Sequence, residues 1–276
     1  MSASLSLSVE DLIGLSAAGW TLGETRCVAC GGYHRVWGLL RAAGVVGGTA
    51  VDTVVLAPLL DTLVRPGARV LIAGAADAAI VALLMTTAAR PLDITVVDIC
   101  STPLRIIERL EAQDGLTVRT LRTDLAEMTT ASAFDLILSH SMLPFVDGDR
   151  RIAVVRALGR ALAPGGRAVI VVRTAPALSA ADREAHDKAW LDRAWRRIDG
   201  SGVPLPGPRS EIDTILVRFA AMRRGHLGGL QTAEEVVDLL EAGGLRLISS
   251  HAGGDSTAVT VNGAAHVRRS HVFVCA

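Results

Sequence analysis

Lysine is almost missing from this chain: Lys188 is the only one among 28 basic side chains. The rest are arginine, which we read as compositional bias and not as function. The 28 acidic side chains bring the formal net charge to zero. No basic block stands out, so nucleic acid is not an expected partner. A long apolar run is also missing. Residues 73–89 are largely apolar, but Gly74 and Asp77 interrupt them and Arg90-Pro91 ends them, short of a membrane span. The start, MSASLSLSVEDL, lacks the basic residues and apolar block of a secretory leader. Cysteine is scarce, with Cys27, Cys30, Cys100 and Cys275 leaving most of the chain bare. A secreted disulfide framework is therefore excluded, and a cytoplasmic protein without a membrane partner is the expectation. Cys27-Val-Ala-Cys30 is half of a zinc site, and His34 offers a third ligand. No second CxxC or HxxxH follows to complete it, so no metal is expected.

What is present is ample apolar content, half of all residues, arranged in a changing rhythm. Ser8 and Asp11 form a helix-start box ahead of DLIGLSAAG. Further helical patterns cover residues 33–43 and 51–64, and Arg65-Pro66-Gly67 then breaks them. Residues 1–65 thus read as a helical lead-in or cap. From residue 66 to 175, short apolar runs alternate with helical ones. ARVLIAG, DITVVD, LTVRTLRTD, FDLILSHS and RAVIVVR read as five strands. That alternation predicts a parallel α/β sheet with helices on both faces. Residues 176–243 read as a helical insert plus the last core helix, which starts at Thr232 and stops at Gly243-Gly244. Residues 244–276 supply two closing strands, making seven.

In such a doubly wound sheet a ligand sits beyond the C-terminal strand ends, where the strand order reverses. The residues at those ends are chemically pointed. Gly74 permits a tight turn after the first strand, and the small residues around it let a ligand approach the backbone. The next helix offers its N-terminus to a negative group. Asp98 ends the second strand, where a carboxylate accepts hydrogen bonds from ribose hydroxyls. Asp124 and Leu125 end the third, pairing a polar group with an apolar neighbour suited to adenine. Ser139-His140-Ser141 end the fourth, facing the place of a substrate. Plainer roles stand beside these. Asp98 and Asp124 also suit helix or turn capping, and His140 suits a structural bond to backbone. Tyr33 and His34 also suit simple helix packing.

Residues 69–173, in this order and spacing, resemble the core of class I S-adenosylmethionine-dependent methyltransferases of the small-molecule type. VLIAGAADA stands where that family has its glycine-rich first motif. VVDIC resembles the acidic loop after it, RTDLAEM the adenine segment, FDLILSHSMLPF the fourth motif and RALGRALAPGGRAVIVVR the fifth. TAEEVVDLLEAGGLRLI resembles the helix leading to the sixth strand. The resemblance implies a Rossmann-like seven-stranded sheet carrying an N-terminal helical lead-in and a helical insert. It also implies S-adenosylmethionine as cofactor and methyl transfer to a small molecule, with O-, N- or C-methylation left open.

The resemblance further implies roles for individual residues. Ala73, Gly74 and Ala75 would lie beside the methionine part of the cofactor. Asp98 would hold the ribose, Ile99 would pack on the adenine, and Asp124 and Leu125 would contact its edge and face. Ser139 would sit near the sulfonium. Tyr33 would bond the cofactor carboxylate. His140, whose side chain titrates near neutrality, is the first choice of base, and His34 would face the substrate. The chain departs from the family at Ile72, where an acid is usual, and at Ala76 and Ala78, where glycines are. Two other functions therefore stay open. One is a protein that keeps the fold as a binding module or for another reaction. The other is an NAD(P)-dependent oxidoreductase, which the missing second and third glycines of G-x-G-x-x-G count against. Acceptor and oligomeric state are not legible.

Overall fold

The computed structural model describes residues 8–23, 30–87, 91–114, 118–175, 177–226, 229–254, 259–261, 264–266 and 269–276. Five parallel strands form its centre: β1 (Arg69–Ala73), β2 (Asp93–Asp98), β3 (Val118–Arg122), β4 (Phe134–His140) and β5 (Leu162–Thr174). β6 (Leu247–Ala252) and the final strand, Arg269–Cys275, complete a seven-stranded sheet. With a two-stranded hairpin, β7 (Val259–Val261) and β8 (Ala264–His266), preceding it, that final strand is β9. The order is β3-β2-β1-β4-β5-β9-β6, and only β9 runs antiparallel to its neighbours. The doubly wound sheet expected from the sequence is therefore present, and the order reverses between β1 and β4. The hairpin has no counterpart in the sequence reading.

Alternation along the strands divides the core into two layers. Val70, Ile72, Val96 and Leu138 face Leu56 and Leu60 of α3 (Thr53–Leu63), and Leu83 and Leu84 of α4 (Ala79–Thr87). Leu71, Ala73, Ile137 and Ile170 face Val154, Val155 and Leu158 of α6 (Gly148–Ala161), and Val236 and Leu240 of α9 (Ala233–Ala242). Because both faces are covered, β1 is apolar at four successive positions, with no polar alternation. α5 (Ser101–Asp114) follows β2 on the first of these faces, with Leu104 and Ile107 in that core.

The lead-in is helical as expected but more broken. α1 (Val9–Leu22) starts on the Ser8–Asp11 capping box, with both reciprocal bonds formed at 3.1 and 2.8 Å. Residues 33–43 split into a 3-10 turn, Tyr33–Arg35, and α2 (Trp37–Ala42). Gly38 lets α2 lie on α1, since a Cβ there would stand 2.4 Å from the Ser16 amide nitrogen. Residues 48–52 form another 3-10 turn before α3. α7 (Ala180–Ser201) and α8 (Arg209–His226) make the insert. Leu39, Leu40, Trp190, Ile212 and Phe219 bring α2, α7 and α8 together in a third apolar cluster. This cluster is a roof over the C-terminal strand ends. Among the described residues no helix is long and apolar enough to cross a membrane.

Candidate active site

Between roof and sheet lies a cavity of about 830 Å³, within the roughly 300–1,000 Å³ typical of small-molecule sites. Its floor is the strand-end series: Gly74, Ala75, Asp98, Ile99, Asp124, Leu125, His140 and Ser141. Its walls and ceiling include Tyr33, His34, Trp37, Trp190, Arg193 and Phe219. One pocket thus gathers nine of the eleven site residues expected from the sequence. The other two, Ala73 and Ser139, are buried in the sheet and are not part of the cavity wall.

Gly74 makes the turn out of β1 with φ of +79°, in the left-handed region that favours glycine, and its amide donates to the Val97 carbonyl at 2.8 Å. A Cβ there would stand 2.7 Å from Met142 Cγ. Gly74→Ala is expected to lose about 1–2 kcal/mol of stability from the left-handed backbone alone, measurable by urea unfolding. Displaced Met142, itself on the cavity wall, is expected to weaken nucleoside binding in the same variant.

Asp98 ends β2 at 9% exposure. One carboxylate oxygen accepts the Ala75 amide at 2.9 Å and the other the Cys100 amide at 2.7 Å. It therefore braces the loops after β1 and β2 at the cavity wall. Ile99 beside it is 48% exposed, an apolar platform at the cavity edge. Asp124 caps the short turn Leu125–Glu127 by accepting the Ala126 amide at 2.9 Å, and Arg150 pairs with it. Capping and ligand contact are thus compatible at both aspartates. Asp77 accepts the Ala79 amide and forms a buried ion pair with Arg41 of α2 at 2.6 Å. That pair ties the lead-in to the loop after β1.

Among the described residues His140 bonds to a side chain and not to backbone. Its Nε2 meets Asp52 Oδ2 at 2.8 Å. Asp52 is 0% exposed and also accepts from Arg173 at 3.2 Å and from the Gly254 amide at 3.1 Å. Burial pushes the Asp52 carboxyl upward. The hydrogen bond and charge of His140 and the charge of Arg173 outweigh this and hold it below its ordinary value. Burial lowers the His140 value, Asp52 opposes that shift, and Arg173 adds to it. The net state is a neutral imidazole beside an ionised Asp52 that Arg173 balances. A carboxylate acceptor fixes the proton on Nε2, which leaves Nδ1 with its lone pair. Ser141, next in sequence, has φ of +56°, an uncommon value for serine. Its hydroxyl lines the cavity without a hydrogen-bond partner among the described residues.

Tyr33 and His34 stand in an aromatic group, their rings 4.0 Å apart, with Phe219 stacked at 4.7 Å from Tyr33. Burial, and next the charge of Asp98, raise the Tyr33 value well above the ordinary one, so its hydroxyl stays a donor. Sequence reasoning missed Asp52, Arg173, Arg41 and Arg193. Asp52 carried a weak signal, a single acid within an apolar stretch. The half-site Cys27 lies outside the described residues, and Cys30 is buried at the cavity wall.

A nucleoside with a flat heteroaromatic base and two ribose hydroxyls fits this floor. Asp98 supplies acceptors, Ile99 and Leu125 supply apolar surface, and the orphaned Ser141 hydroxyl supplies a polar contact. Residues 70–166 match the family model described as a methyltransferase domain. No curated protein matches the chain. A Bacillus halodurans protein considered a methyltransferase shares 13% identity, with 80% of this chain and 97% of that one covered and a TM-score of 0.51. A Bordetella parapertussis protein thought to be exported shares 15% identity over 100% of this chain and 98% of that one, TM-score 0.54. The [4+2]-cyclase SpnF shares 14% identity over 80% and 72%, TM-score 0.52. At these identities the structures establish the fold, and the family model names its core. Residues 70–166 of this chain are thus similar to a methyltransferase domain, carried on the doubly wound sheet that these solved structures share.

Proposed function

We propose that this protein methylates a hydroxyl or amine on a small aromatic molecule that carries an acidic group. The observation that carries this reading is His140, held by the buried Asp52 and lining one cavity with Asp98. When bound, S-adenosylmethionine supplies an electrophilic methyl group. Asp98 holds the ribose hydroxyls, with Ile99 and Leu125 against the adenine and Asp124 at its edge. Tyr33 donates to the cofactor carboxylate, and the backbone of Gly74 and Ala75 borders its methionine end, with Ala73 buried beneath them. Ser139, beneath the wall, supports that end from the sheet. His140 Nδ1 accepts the proton of the acceptor hydroxyl or amine, and Asp52 stabilises the resulting imidazolium at Nε2. Displacement at carbon asks mainly for alignment, which the roof provides by excluding water and orienting the acceptor. His34 borders the acceptor side of the cavity.

Trp37, Trp190, Phe145 and Phe219 favour a flat apolar acceptor. Arg193 on α7 favours an acidic group on it. Its Nε is buried without a hydrogen-bond partner, and no carboxylate pairs with it among the described residues. Burial, and then the charges of Arg197 and Arg196, press its value down, a penalty that a bound anion would relieve. In assays of hydroxy- and amino-substituted aromatic acids against their amides, S-adenosylhomocysteine release should favour the acids. Arg193→Met should raise KM for the acids at least about tenfold and leave the amides unchanged, consistent with a charged hydrogen bond of about 1.5–3 kcal/mol. Equal KM values for acid and amide in the wild type would exclude the acidic group.

Ile72 supports a second reading. The position of the family's usual acid is packed into the sheet core among Val70 and Leu60. A fold that binds the nucleoside without transferring methyl would bind S-adenosylhomocysteine yet release none with any acceptor.

A further inference from the structure

Three side chains that methyl transfer leaves without a necessary task meet at one wall of the cavity. Cys30 precedes the 3-10 turn that carries His34, and Cys100 follows Ile99 at the end of β2. One ligand atom from each lies within 4.8 Å of the other two, and all three residues are buried. The two sulfurs are 3.6 Å apart. Two zinc–sulfur bonds of about 2.3 Å at a tetrahedral angle would set them about 3.8 Å apart. A disulfide would bring them to about 2.05 Å. The observed spacing is thus near that of two sulfurs sharing one metal.

Charge favours the same answer. Two thiolates and a neutral imidazole balance a divalent cation, so the occupied centre carries no net charge and suits a buried position. Thiolate with imidazole selects zinc over magnesium or calcium, which prefer oxygen ligands. We propose that Cys30, His34 and Cys100 bind a zinc ion, with the fourth position open to water or another small ligand from the cavity. Binding forms two zinc–sulfur bonds and one zinc–nitrogen bond, releases two thiol protons to solvent, and changes no oxidation state. The ion clamps the N-terminal segment to the loop that holds Asp98 and Ile99. The pairing escapes sequence spacing because Cys30 and Cys100 are 70 residues apart.

The test uses the whole chain, purified with reductant and stripped by chelator, then titrated with cobalt(II) as a zinc probe. One equivalent should bind, with a near-ultraviolet thiolate-to-cobalt band and the visible bands of a tetrahedral ion, and zinc should displace it. Cys30→Ser and Cys100→Ser should each weaken the thiolate band, and the double variant should abolish it, while Cys275→Ser keeps it in full. A second measurement needs no variant: zinc should protect Cys30 and Cys100 of the wild type from alkylation, as mapped by mass spectrometry. Three results would overturn the site. They are no cobalt binding, a thiolate band that survives in the Cys30→Ser/Cys100→Ser double variant, or alkylation of both cysteines unchanged by zinc. S-adenosylhomocysteine binding, measured on the metal-free protein, reports separately on the nucleoside site. Loss of the metal proposal would therefore leave the methyl-transfer reading standing, and the converse also holds.

Discussion

Asp98→Ala is expected to weaken S-adenosylhomocysteine binding at least about tenfold, a loss of about 1.4 kcal/mol or more, read by titration calorimetry. Two effects act together. The variant loses acceptors for the ribose hydroxyls, and it also strands the Ala75 and Cys100 amides that the carboxylate now satisfies. Asp98→Asn separates them. It keeps one acceptor oxygen but turns an NH₂ group toward one of the two amides, so the loop brace fails on one side. Its affinity should fall between wild type and alanine. Wild-type affinity in Asp98→Ala would remove the carboxylate from the nucleoside site and leave it only a loop brace.

His140→Gln should lower kcat about 10²–10⁴-fold, the usual contribution of a positioned base, with S-adenosylhomocysteine affinity little changed. Glutamine can still reach Asp52, so the loss reports on the base more than on the fold. Asp52→Asn should act through the histidine. An amide donating toward Nε2 would drive the imidazole proton to Nδ1, where the lone pair is needed. Its signature is a fall in kcat without a matching rise in KM. A variant that loses only stability would show neither. Stability should fall too, because removing one partner of a buried pair typically costs about 3–5 kcal/mol.

The pH dependence has a fixed sign. His140 titrates below its ordinary value in the folded chain, so below about pH 6.5 the unfolded chain binds the extra proton more readily. Stability then falls with acidification from that point. Asp52, also held low, adds a further loss as pH drops through the carboxylate range. Activity should hold level through neutrality and fade only on the acid side, at a pH below the ordinary histidine value. A kcat profile with its midpoint above about 6.5 would contradict the neutral imidazole.

The sheet was readable because its cause is local. Five apolar runs such as ARVLIAG and RAVIVVR, each followed by a helical period, leave few alternatives once both faces need cover. That Gly74, Asp98 and Asp124 line one cavity was readable because strand ends have a fixed place in such a fold. Asp52 was not, since its partners His140 and Arg173 lie 88 and 121 residues along the chain. No periodicity links them; only the packing of the turn before α3 against the ends of β4 and β5 does. Helix boundaries in the lead-in failed for a related reason. The Tyr33 ring is held by Phe219 of α8, and the chain there bends into a tighter turn than its own pattern suggests.

The roof and the sheet keep separate apolar interiors: Trp190 and Phe219 pack with Leu39 and Leu40, while the strands pack with α3, α4, α6 and α9. Exchange of a ceiling side chain therefore leaves the load on the floor unchanged. Side chains of α7 and α8 can thus be exchanged while the strand-end floor keeps its own packing. On the proposed function, the choice of acceptor and the floor beneath it are stored in different parts of the molecule, free to drift at different speeds.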